Sequence, residues 1–101
     1  MYLLHARLRV PNGCELPPEA SRFVLSSALP EDGLEHVSVH AHAPGGPVLG
    51  LFLIAPDLGV AEAAGRRVCE RALAADGPLA GFVLAGVAAG LVPQAFDRWL
   101  S

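Results

Sequence analysis

The chain has 101 residues, 52% of them hydrophobic, with a formal net charge of −3. That is one ordinary domain with one core, and far too apolar for a disordered tail. All seven basic residues are arginine, and a net-acidic chain lacks the clustered positive charge that docking on nucleic acid or an anionic membrane surface requires.

The first alternation runs over residues 2–10. Tyr2, Leu4, Ala6, Leu8 and Val10 fall on one side; Leu3, His5, Arg7 and Arg9 fall on the other. This predicts a half-buried strand. Residues 18–29 carry Ala20, Phe23, Val24 and Ala28 at helical spacing behind Pro17 and Pro18, so a helix is expected. Phe23-Val24-Leu25 also fits a short strand.

Residues 35–43 alternate again, with Val37, Val39, Ala41 and Ala43 opposite His36, Ser38, His40 and His42. Pro44-Gly45-Gly46-Pro47 then turns the chain. Residues 48–55 are apolar on both sides, with Leu49, Leu51 and Leu53 facing one way and Val48, Gly50, Phe52 and Ile54 the other. Such a run predicts a central strand.

The plainest helix spans residues 58–75. Ala61, Ala64, Val68, Ala72 and Leu73 form its apolar stripe, and Glu62, Arg66, Arg67, Glu70 and Arg71 its wet face. Asp57 stands where an N-cap belongs. Residues 80–88 read as a last strand. Phe96, Trp99 and Leu100 give the tail one apolar side, which predicts a short C-terminal helix.

The expected order is βαββαβ plus a tail, in a single α+β domain over residues 1–101: a four-stranded antiparallel sheet with two helices on one face. This pattern resembles the ferredoxin-like fold, and its propensity to pair sheet to sheet resembles that of the dimeric α+β barrel proteins. The resemblance to the dimeric α+β barrels implies a small oxygenase-like enzyme or ligand binder, while the ferredoxin-like pattern by itself carries little function.

The same pattern puts His5, Arg7, His36, His40 and His42 on the open sheet face. Imidazoles on one face can hold a metal or an anion, or move protons. His40 and His42, two apart on a strand, fit a chelating pair. The plain alternative is a solvated face on which polar residues alternate with core ones. Whichever side of the third strand faces the helices, the open face keeps an apolar strip, with Leu49, Leu51 and Leu53 as its interface candidates, to be covered by Phe96 and Trp99 of the tail, by a second copy as a homodimer, or by another protein partner. A small-molecule ligand is the second expectation.

Several signatures are missing. Cys14 and Cys69 form no Cys-x-x-Cys pair, and no P-loop, dinucleotide fingerprint or catalytic triad spacing stands out. No cofactor, resident metal or catalytic residue is therefore expected. The N-terminus does not read as a signal peptide, and Leu79 to Pro93 is too short and Gly-rich to span a bilayer. A cytoplasmic protein acting through protein–protein interaction is the leading expectation.

Overall fold

The computed structural model describes residues 1–10, 15–44 and 46–89. In chain order they form β1 (Tyr2–Arg9), α1 (Ala20–Ser26), a 3-10 turn (Pro30–Asp32), β2 (Leu34–His40), β3 (Val48–Leu53), α2 (Leu58–Ala74) and β4 (Val83–Ala89). The four strands make one antiparallel sheet in the order β2-β3-β1-β4. The described residues thus make an α+β fold with two α-helices and a four-stranded antiparallel sheet. The expected tail helix, with Phe96 and Trp99, lies outside the described residues, as does Cys14.

The period-2 pattern of β1 decides which face is buried. Leu4, Ala6 and Leu8 are no more than 1% exposed, and β3 sets Leu51 opposite Leu4 and Leu49 opposite Ala6. On β2, Val37 and Val39 pair with the same two leucines. Helix α2 lies over this face. Its Ala61, Ala64, Val68 and Ala72 join the core, and Ala20 and Val24 bring in α1. Gly65 sets how closely α2 approaches, because a Cβ there would stand 3.0 Å from Leu4 and 3.3 Å from Leu51.

Helix α1 is shorter than the spacing predicts. The hydroxyls of Ser26 and Ser27 both donate to the Phe23 carbonyl at 2.9 Å. Serine competes in this way with the helical ladder and favours its end. Helix α2 begins as expected, with the Asp57 carboxylate accepting from the Val60 amide at 2.9 Å and so capping an open donor of the first turn.

Strand β4 starts at Val83 rather than at residue 80, because Ala80 donates to Gly77 and Phe82 to Leu79 in turns. Two irregularities shape the sheet. Glu35 is the extra residue between Leu34 and His36 on β2, and Ala85 is the extra residue of β4 opposite the Arg7–Leu8 step. A bulge of this kind lets residues on both sides of it keep the face they need. Leu34 can face the core although His36 does not.

A buried carboxylate ties the layers together. Asp32 is 2% exposed. It accepts from the Leu29 amide at 2.9 Å, from Arg71 at 3.1 Å and from Arg67 at 3.2 Å. Arg71 also donates to the Ser27 carbonyl at 2.7 Å. The link between α1 and β2 is thereby pinned to the face of α2.

Candidate functional site

Because the helices take one face of the sheet, the other face collects the odd residues of β1 and their partners. The register sets out three rows. His36, Phe52 and Leu3 form the first; Ser38, Gly50, His5 and Ala88 the second; His40, Val48, Arg7 and Gly86 the third. His5 and His40 therefore lie on strands separated by β3.

Each row has its own chemistry. His36 and Phe52 stack at a tilt, with ring centroids 5.5 Å apart, a cross-strand contact that steadies the first row. In the second row Gly50 has no side chain, and a Cβ built there would run into Ser38 Oγ. The serine hydroxyl leans over the bare backbone of β3, 3.3 Å from His40 Nε2. In the third row Val48 is 5% exposed between Arg7 and His40, although it faces away from the helices.

Electrostatics mark the face further. The His5 imidazole is held below its ordinary value, first by burial and then by the neighbouring His40 and Arg7. The one strand carboxylate, Glu35, is the bulge residue outside the paired rows. Among the described residues no ion pair involves Arg7 or Arg9; the ion pairs present join Arg67 and Arg71 to Asp32.

Leu49, Leu51 and Leu53 are corrected by the fold. At 1%, 0% and 0% exposed they point into the core under the helices and do not line the open face. The apolar members there are Leu3, Val48 and Phe52. His42 also departs from expectation. Strand β2 ends at His40, and the amide of Ala43 turns back to the His40 carbonyl at 3.4 Å, so the alternation stops before His42. Its ring instead borders a shallow groove of about 300 Å³ beside Val10, Leu16 and Pro47. The strand geometry that would pair His40 with His42 as a chelate is absent, and no group of three metal-binding side chains occurs among the described residues.

Two further groups fall outside these rows. Cys69 is 1% exposed in the core, and burial pushes its thiol up to about 12, which leaves it protonated and unreactive at neutral pH. Asp32 escapes sequence reasoning, since Pro30-Glu31-Asp32-Gly33 reads only as a turn. Its arginine partners lie 35 and 39 residues further on, and no local spacing announces them.

No helix among the described residues is long and apolar enough to cross a membrane. Comparison of the chain with family models, with curated proteins and with solved structures gave no match.

Proposed function

We propose that the protein is a non-catalytic interaction module that docks an acidic partner segment on the open face of its sheet. The observation behind this reading is the sorting of charge. A chain of net charge −3 gathers Arg7, Arg9, His5, His36 and His40 on one face, with no carboxylate in its rows. Arg7 and Arg9, two apart on the same face of β1, repel one another. An anionic partner relieves that repulsion and gains orientation from it. Leu3 and Phe52 supply apolar contact beside the charges, the mixture usual in partner-binding surfaces.

A second copy is the rival occupant. Sheet-to-sheet pairing would bring two sets of Arg7 and Arg9 into one interface, so charge favours an acidic partner over a face-to-face homodimer. A small-molecule enzyme or binder would call for an enclosed pocket with a histidine or Arg7 turned into it. The strand order and the antiparallel pairings support the ferredoxin-like architecture, which by itself carries no function.

The test uses a fluorescein-labelled glutamate hexapeptide at low salt, read by anisotropy. Binding to the wild-type chain is expected, weakening as salt rises. The Arg7→Glu, Arg9→Glu double variant should bind at least tenfold more weakly, with its circular dichroism unchanged. Equal binding by wild type and variant would overturn the proposal. So would a wild-type dimer, seen by native mass spectrometry, that the same two changes leave intact and whose open face is closed to the peptide.

A further inference from the structure

The two edges of the sheet are unlike. The order β2-β3-β1-β4 leaves β2 and β4 at its borders. An edge strand offers a row of backbone donors and acceptors to any chain that can pair with it, and proteins blunt such rows with charge, proline or bulges. Strand β2 is blunted: it carries Glu35 at its bulge and His36 and His40 beyond it. Strand β4 reads Val-Leu-Ala-Gly-Val-Ala-Ala, with no charged side chain and no proline, and Val83, Ala85, Ala88 and Ala89 are exposed. Its bulge at Ala85 leaves Gly86–Ala89 in regular pairing with Leu4–Arg7. Among the described residues no strand takes its outer side.

The helix above this edge carries a matching pattern of charge. Helix α2 lies over β1 and β4, with Gly65 placed so that an added Cβ would stand 3.8 Å from Val87. Arg67 and Arg71 turn toward Asp32, on the side of α1 and β2. At about 3.6 residues per turn, Glu62 and Arg66 fall on the opposite flank, above the β4 edge. They bracket Gly65 in the sequence. A two-fold axis at Val87 sets β4 antiparallel to its copy and runs the two α2 helices in opposite directions. Glu62 of each protomer then meets Arg66 of the other, so the flank is its own electrostatic complement.

We propose that β4 pairs with the β4 of a second copy, with the Val87 of each protomer at the two-fold axis, so that two four-stranded sheets become one of eight strands. This register keeps every side chain on its face: Gly86 lies opposite Ala88 of the other protomer, on the open side. Face-to-face pairing crowds the arginines, whereas edge pairing holds the two β1 strands three strand spacings apart, about 14 Å. That exceeds the screening length of about 8 Å at physiological salt. The pairing rests on β4 and α2 alone. Its consequence for docking rests on the role proposed for the open face: an acidic segment meets one Arg7 from each protomer across a floor of Gly86 and Ala88.

Sedimentation velocity of the full chain across a concentration series, with hydrogen exchange read amide by amide, tests the pairing. A monomer–dimer equilibrium is expected, with exchange in Gly86–Ala89 slowing as the dimer forms and exchange in β2 unchanged. Glu62→Arg should weaken the dimer at least tenfold, because like charges then face each other across the axis, and adding Arg66→Glu should restore it. Ala88→Lys, at an exposed edge position, should also weaken it, with circular dichroism unchanged. A monomer at every concentration would overturn the pairing. So would a dimer whose protection falls on β2 or α1, or one that both single variants leave intact. Protection of the β4 amides that is equal at all concentrations would overturn it too, since the chain would then cover its own edge. A dimer that binds no glutamate hexapeptide would keep the pairing and sink the docking proposal; a monomer that binds it would do the reverse.

Discussion

Asp32 is the residue on which most of the local geometry turns. Burial pushes its carboxyl up, but the Leu29 amide and the Arg71 and Arg67 guanidinium groups outweigh burial and hold it below the ordinary carboxylate value. A carboxyl depressed on folding stabilises the fold above its unfolded value, and that stability is lost as the pH falls through the folded value. Asp32→Ala should cost about 2–3 kcal/mol at pH 7, the worth of hydrogen bonds to a charged group. Urea unfolding curves should show that gap narrowing as the pH falls below the carboxylate range. A constant gap would mean that the ionic contacts contribute little.

His5 has the opposite chemistry with a related consequence. Its imidazole is depressed by burial, His40 and Arg7, so the unfolded chain takes up a proton before the folded one does. Stability should therefore fall as the pH drops below the ordinary histidine value, and His5→Gln should flatten that slope in thermal melts. Gly33 is constrained by backbone rather than charge. It adopts φ +73°, and a Cβ there would run into the Ile54 carbonyl. Gly33→Ala should destabilise by about 1–3 kcal/mol, the range for a residue forced into a left-handed, crowded position.

Strand β3 shows what patterning alone can and cannot decide. Its place in the middle of the sheet is legible because both sides are apolar. Which side meets the helices is not, because leucine on one side and valine or phenylalanine on the other carry the same signal. The neighbours decide it. Leu4 and Ala6 of β1 fix the leucine side as core, and His5 and Arg7 fix the other as open. Leu51→Ala should then cost about 2–5 kcal/mol, as core truncations do. Phe52→Ala, one residue away on the open face, should cost distinctly less in the same denaturation assay. Similar losses at both positions would contradict the assignment of faces.

The alternations of β1 and β2 and the cap and stripe of α2 are readable for the same reason: each is a local pattern with one clear period. The ends of α1 and β4 are not, since serine hydroxyls and the Gly77–Phe82 turns compete with regular structure. The alternation of β2 continues in the sequence through His42, while the backbone turn at His40 ends the strand first. Asp32 with its arginines lies beyond sequence reading altogether, because those contacts are made only when α2 folds back over the turn. The placing of His5 and His40 on one sheet face depends on β1 and β2 flanking β3, and strand order is a tertiary fact.

At the scale of the molecule, the fold separates two surfaces. The loops carry most of the described acids, while α2 mixes Glu62 and Glu70 with Arg66, Arg67 and Arg71. The open sheet face carries arginine and histidine without a carboxylate in its rows. The proposed docking role uses the arginines of that face to orient an acidic partner before contact.

The most direct measurement is an amide-resolved NMR titration with the glutamate hexapeptide. Docking on the open face predicts shifts that cluster in Leu3–Arg9 of β1, His36–His40 of β2 and Val48–Phe52 of β3, and that shrink with added salt. Shifts centred on α1 and α2, or none at concentrations where the labelled peptide binds, would contradict the assignment of the open sheet face as the docking surface.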